Sequence, residues 1–229
     1  MNLLFLPGFM CDERLFSGQI RHLEKLGYSC HFIELDQQDS IEDMADYTLS
    51  RVEGPLVLVG LSMGGIVALE AIGQAPERVV GLCLLNSTPF KDSLGDARLA
   101  QIVRVHEEGV DGLYMDVLKP QYIASANRQT ELMDMVIDMA RSLGSTVFER
   151  QSRALAGRDG YEALLMEISP KVLLLTGSED AVCGLETAQF MKERIKNAAL
   201  TCLPNCGHLS SLEQSQMVTN ALVTFLERL

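Results

Sequence analysis

The chain has 229 residues, of which 47% are apolar and 22% charged, with a formal net charge of −12. That length holds one domain with a sizeable core, or a core plus a small lid. The acidic balance argues against a nucleic-acid partner and against an anionic membrane surface, since both need a basic face.

Residues 3–6 are a short apolar run that stops at Pro7-Gly8. It has no basic flank and is too short for a signal peptide, so it reads as a buried strand. Residues 15–26 place Leu15, Ile20, Leu23 and Leu26 near one face of a helix that ends at Gly27. A second strand is expected at 28–35, and Ser40 is positioned to cap a helix over 41–52. Leu56-Val57-Leu58-Val59 is a third strand, followed by a helix over 65–75. Further strands are expected at 79–85, 171–176 and 199–203, with helices at 185–195 and 211–229. Continuous apolar strands alternating with helices predict an α/β fold: a mostly parallel six-stranded sheet with helices on both faces.

One segment breaks the alternation. Between 89 and 168 the spacing is helical, at 97–108, 111–118, 130–143 and 145–156. That is far more chain than a crossover helix needs, so residues 89–168 are expected to form an inserted helical lid on a core made of 1–88 and 169–229. Packing of these helices against the flank of the sheet is the alternative.

The motif Gly60-Leu61-Ser62-Met63-Gly64 joins the third strand to its helix. A free serine hydroxyl is a poor nucleophile, and it becomes useful when a sharp turn lifts it out of the fold and aims it at a base. The same turn points the backbone N–H of Met63 at a developing oxyanion. The base should be a histidine on a loop at a strand's carboxyl end, where ligands of parallel sheets bind. Of the four histidines, His208 fits, in Leu203-Pro204-Asn205-Cys206-Gly207-His208, and Gly207 would leave room for the imidazole. His22 and His106 have charged neighbours and His31 lies within a strand. The orienting acid should lie on the loop after the fifth strand, where Asp180 and Glu179 compete and Asp180 is favoured.

The order Ser62, Asp180, His208 resembles that of the α/β-hydrolases, and the chain looks like their small, lidded, esterase-like members. The similarity runs from residue 3 to residue 229, and rests on the Ser62 motif, the Asp180 loop and Cys206-Gly207-His208-Leu209-Ser210. Leu6-Pro7-Gly8-Phe9 and Gln74-Ala75-Pro76-Glu77-Arg78-Val79 read like this group too. The resemblance implies a second oxyanion donor, the backbone N–H of Phe9, on a loop that usually reads His-Gly where this chain has Pro7-Gly8. It also implies that the family's first two antiparallel strands are missing. The expected reaction is acyl transfer through an acyl-enzyme on Ser62, acting on a small carboxylic ester, thioester or lactone, without cofactor or metal. A carbon–carbon bond hydrolase or lyase on the same residues, or a ligand receptor without turnover, are the competing readings.

Other residues invite attention. Met115, Met133, Met135 and Met139 lie in the inserted segment. Met135 and Met139 share a helix face and are candidates to line an acyl pocket, with ordinary packing the simpler role. Arg150, Arg153 and Arg158 form a basic patch that could meet a substrate carboxylate or phosphate, Arg153 being the candidate contact, although pairing with nearby acids is commoner. Ser211 reads as a helix cap, with Glu213 in the first turn. Cys11, Cys30, Cys83, Cys183, Cys202 and Cys206 show no zinc spacing, and with no secretory signal they are expected to be reduced thiols in a cytoplasm.

Overall fold

The computed structural model describes residues 1–113, 119–127 and 131–229. Six parallel strands form one sheet in the order β2-β1-β3-β4-β5-β6. They are β1 (Asn2–Leu6), β2 (Ser29–Phe32), β3 (Leu56–Leu61), β4 (Val79–Leu85), β5 (Lys171–Gly177) and β6 (Ala198–Leu203). β3 is buried along its whole length, and β4 and β5 nearly so, as their unbroken apolar sequences require of central parallel strands. β2 is shorter than the strand expected at 28–35: pairing with β1 stops at Phe32, while Ile33 and Leu35 stay buried beyond it.

The chain moves from β1 to β2 in one direction and from β2 through β3 to β6 in the other. Right-handed crossovers therefore put α1 (Ser17–Lys25) on one face, and α2 (Ile41–Ser50), α3 (Met63–Gln74) and α8 (Leu185–Arg194, before β6) on the opposite face. The order reverses between β1 and β3, so a crevice opens at the carboxyl ends of those two strands.

Between β4 and β5 the described residues contain no strand. The helices there are α4 (Gly95–Glu108), α5 (Val110–Leu113), α6 (Lys119–Tyr122) and α7 (Glu131–Gly157). The break between the two expected helices at 130–143 and 145–156 is Gly144, whose φ of 76° and ψ of −179° leave the helical region inside α7. Met115, the end of the helix expected at 118 and the helix start expected at Thr130 lie outside the described residues. α4 and α7 pack on each other, and Ile102, Val105, Val136 and Met139 bury their side chains in the common core.

The last helix differs from expectation. A short helix, α9 (Ser210–Glu213), precedes α10 (Ser215–Leu226), which lies beside α1. Ser211 is therefore no cap: it sits inside α9, buried, and its hydroxyl has no partner among the described residues. Among the described residues no helix is long and apolar enough to cross a membrane.

Candidate active site

Ser62 sits between β3 and α3 with φ 54° and ψ −115°, a conformation an L-residue adopts only when its surroundings force it. The forcing comes from close backbone approach. A Cβ on Gly60 would lie 2.2 Å from the carbonyl oxygen of Gly64, and one on Gly64 would lie 2.0 Å from that of Leu6. The turn thus requires glycine at both positions, while the amide of Ser62 continues the ladder by donating to the Leu85 carbonyl at 2.9 Å.

His208 arrives from the loop after β6. Its Nε2 lies 2.8 Å from Ser62 Oγ, and its Nδ1 lies 3.0 and 3.1 Å from the two oxygens of Asp180. His208 and Asp180 are buried, 2% and 8% exposed, so the pair is shielded from competing water. An ionised Asp180 can only accept, which puts the imidazole proton on Nδ1 and leaves the Nε2 lone pair facing the serine hydroxyl. Burial alone would raise the Asp180 pKa. The His208 charge, the hydrogen bonds from His208 and Asn86, and the amide of Cys183 outweigh it and hold the carboxyl down at about 2. Of the two neighbouring acids, only Asp180 meets the imidazole: Glu179 turns away and accepts Ser125 N–H and O–H at 3.2 and 3.1 Å.

The loop after β1 runs against this turn. A Cβ on Gly8 would stand 3.5 Å from Ser62 Cβ. Among the described residues, the amides of Phe9 and Met63 have no acceptor in the protein. The next residue, Met10, has φ 54°, and its amide donates to Gln151 Oε1 at 2.8 Å. Gln151 Nε2 in turn donates to the Leu35 carbonyl at 2.7 Å, and the ring of Phe148 meets Phe9 edge-on at 5.1 Å. Two residues of α7 thus brace the loop that carries Phe9.

Three supports were not read from the sequence. Asn86, at φ 48° just past β4, donates from Nδ2 to Asp180 Oδ2 at 2.9 Å and to the Gly207 carbonyl at 3.1 Å. Asparagine is one of the few residues that tolerates this backbone region, which is a signal the sequence offered. Glu213, expected to face a helix dipole, instead accepts the amides of Gly207 and Ala124 at 3.0 and 2.8 Å and Asn127 Nδ2 at 3.0 Å. The carbonyl of Tyr122 accepts the amides of His208 and Leu209 at 2.9 and 3.2 Å. Gly207 makes room, though for the backbone of the insertion and not for the imidazole: a Cβ there would lie 2.6 Å from the amide nitrogen of Ala124.

The cleft over Ser62 encloses about 260 Å³ and is lined by Phe9, Met63, Ile66, Tyr122, Leu155 and Val182 together with Asp92, Arg98 and Arg158. The structure does not bring Met135, Met139 and Arg153, the expected substrate contacts, to this cleft. Met139 is fully buried in the core, Met135 is exposed, and Arg153 is an exposed partner of Glu149 at 2.7 Å. Helical spacing put the two methionines near one face without saying that α4 and the core cover Met139. Arg150 bonds the Asp36 carbonyl and Gln37, and of the three arginines only Arg158 reaches the cleft. Among the described residues no cluster of three histidine, cysteine, aspartate or glutamate side chains is arranged to hold a metal ion.

The chain matches the model of the Alpha/beta hydrolase family over residues 3–221. It is 27% identical, over 229 residues, to the pimeloyl-[acyl-carrier protein] methyl ester esterase of Nitrosomonas europaea, covering 90% of this chain and 88% of that protein. Its fold is similar to that of a thermophilic esterase from Thermogutta terrifontis, with a TM-score of 0.92 at 24% identity over 100% of this chain and 90% of the other. It is also similar to the enol-lactonase from Burkholderia xenovorans, with a TM-score of 0.86 at 18% identity over 99% of this chain and 91% of the other. The six-stranded sheet, the sharp turn at its centre and the match along nearly the whole sequence agree: this chain belongs to the alpha/beta hydrolase family.

Proposed function

We propose that the chain is a serine hydrolase that cleaves a small carboxylic ester, thioester or lactone through an acyl-enzyme on Ser62, with His208 as general base and acid and Asp180 as its orienting partner. The observation that carries this reading is the hydrogen-bonded chain from Ser62 Oγ through His208 to a buried, ionised Asp180. The chain's hydrolase family and its relative named as a methyl ester esterase support an ester as substrate.

In this mechanism His208 Nε2 takes the Ser62 proton as the hydroxyl oxygen attacks the carbonyl carbon. The amides of Phe9 and Met63 receive the negative oxygen of the tetrahedral intermediate. Its collapse leaves the acyl group on Ser62, and His208 hands its proton to the departing alkoxide. Water then attacks the acyl-enzyme with His208 as base again, releasing the acid. Each oxyanion donor is worth about 10²–10³ in turnover. The strained Ser62 backbone supports the reading, because strain of about 1–3 kcal/mol is kept where it holds a group in reacting position.

Residues 89–168 act as the lid. Supporting this, Phe148 and Gln151 of α7 brace the loop carrying Phe9, the Tyr122 carbonyl accepts from the His208 loop, and the Ala124 amide is joined to that loop through Glu213. The six thiols are taken as reduced and the compartment as the cytoplasm.

The test is hydrolysis of 4-nitrophenyl acetate by the wild type and by Ser62→Ala. The reading expects turnover that the substitution abolishes. Saturable binding of the ester without release of 4-nitrophenol would point to a receptor instead.

A further inference from the structure

One wall of the cleft carries more positive charge than its acids neutralise. The side chain of Asp92 is only 3% exposed, and its oxygens are engaged. They accept Arg98 Nε and Nη2 at 3.2 Å, Arg158 Nη1 at 3.1 Å and the Leu94 amide at 3.2 Å. Arg158 also donates to the carbonyls of Phe90 and Leu155, at 3.3 and 2.8 Å. Two guanidinium groups, 18% and 6% exposed, therefore share one carboxylate. Arg98 Nη1 and Arg158 Nη2 have no acceptor among the described residues.

No other carboxylate among the described residues that line the cleft balances the excess. Asp180 is committed to His208, Asn86 and two amides. Lys91, also on the lining, adds a further positive charge, and its nearest acid, the exposed Asp159, is 3.9 Å away. This cationic wall belongs to a protein of net charge −12. One arginine would suffice to neutralise Asp92. A second buried guanidinium costs desolvation that its share of that carboxylate does not return, unless a further anion completes the set. A planar carboxylate matches two forked donors.

We propose that the cleft binds an ester bearing a second, ionised carboxylate, which Arg98 and Arg158 hold while Ser62 attacks the ester carbonyl. This rests on the Ser62 reading above. A volume of about 260 Å³ restricts the substrate to a small molecule. The anionic group belongs either to the acyl part or to the alcohol part of the ester, and the experiment separates the two.

Two matched pairs of esters are compared by kcat/KM. Monomethyl glutarate against methyl pentanoate places the carboxylate on the acyl side, and 4-acetoxybenzoate against 4-acetoxybenzamide places it on the alcohol side. The charged member of one pair is expected to lead by about 10- to 100-fold, the worth of one charge-assisted hydrogen-bonded pair. The pair that shows the lead identifies the side. In Arg98→Gln the ratio falls toward one, and Arg98→Lys keeps part of it. Calorimetric titration of the wild type with glutarate, with glutaramide as neutral control, reads the same subsite without turnover or substitution. Heat of binding for glutarate alone supports the proposal, and this arm decides if Arg98→Gln does not fold. Ratios near one in both pairs with no glutarate binding overturn it, as does a ratio unchanged in an Arg98→Gln protein that melts like the wild type. If none of the four esters turns over while glutarate binds, the failure falls on the Ser62 reading and the anion subsite stands.

Discussion

Glu213 accepts the amide of Ala124 at 2.8 Å with one oxygen, and its other oxygen accepts the amide of Gly207 at 3.0 Å. Gly207 immediately precedes His208, so a single carboxylate links the imidazole loop to the insertion. Glu213→Gln replaces one acceptor with an NH₂ group that faces donors, and the linkage loosens. Charge-assisted hydrogen bonds of this kind are worth about 1.5–3 kcal/mol each. The expectation is a fall in kcat of about tenfold with little change in KM, because the His208–Ser62 alignment is lost and not the cleft. Steady-state kinetics beside a melting curve check it. A lower melting temperature with unchanged kcat would mean that Glu213 only holds the fold.

Asn86 and Asp180 supply a pH-dependent prediction. The Asp180 pKa stands at about 2, below the ordinary aspartate value of 3.8, so its ionised form stabilises the native state. That contribution is complete above the unfolded value and is lost as the pH falls from about 4 to about 2. Asn86→Gly relaxes the positive φ and removes the hydrogen bond to Asp180, so the folded pKa moves up and less stability is gained. The gap between wild type and variant should be widest above about pH 4 and should narrow toward pH 2, as the carboxyl becomes protonated in both. Urea midpoints across that range read it directly, and a gap independent of pH would show that Asn86 does not act through the ionised carboxylate.

The elbow glycines make a stability prediction with an internal control. Gly64→Ala drives a methyl group against the Leu6 carbonyl, only 2.0 Å away, so the loop after β1 and the Ser62 turn must both shift. Destabilisation of about 3 kcal/mol or more and loss of activity are expected. Gly95, at the start of α4, has open space around its Cβ position and no positive φ. Gly95→Ala should be neutral or stabilising by up to about 1 kcal/mol. Denaturant unfolding of both variants compares them, and equal losses would contradict the packing argument.

Thiol reactivity follows burial. Cys202 is exposed, whereas desolvation pushes the thiols of Cys11 and Cys206 up to about 12 and that of Cys30 up to about 11, and raises those of Cys83 and Cys183. Iodoacetamide at pH 8 should modify the native protein first at Cys202, and should reach all six thiols only after unfolding. Mass spectrometry of peptides counts the adducts. Rapid alkylation of Cys183, which lines the cleft, would show that the cleft opens far more than its packing implies.

Much of this arrangement was readable because it rests on local signals. Unbroken apolar runs located the four inner strands, β1, β3, β4 and β5, and glycine at positions 60 and 64 with serine between them marked the sharp turn that carries that serine. Gly207-His208 after the last strand was equally legible, since the end of a parallel strand is where ligands meet the sheet. What escaped was decided by partners distant in sequence. Asp180 and Glu179 have the same chemistry, and although the sequence favours Asp180, the contact that draws Glu179 away comes from Ser125, far along the chain. Met139 and Met135 share a helix face by spacing, yet one is buried by α4 and the core while the other remains in solvent. Arg153 found its acid one turn back on its own helix, whereas Arg158 found Asp92, which lies before α4 in the chain and on the same wall of the cleft. Periodicity fixes which residues share a face, and it carries no information about what will cover that face.

Covalent labelling by a fluorophosphonate tests the central claim most directly, because the reagent needs an activated serine hydroxyl and nothing of substrate specificity. The account predicts one adduct per chain, mapped to Ser62, absent in Ser62→Ala and slowed by at least about 10³-fold in His208→Ala. An adduct on another residue, or labelling of Ser62 that proceeds at the same rate without His208, would contradict it.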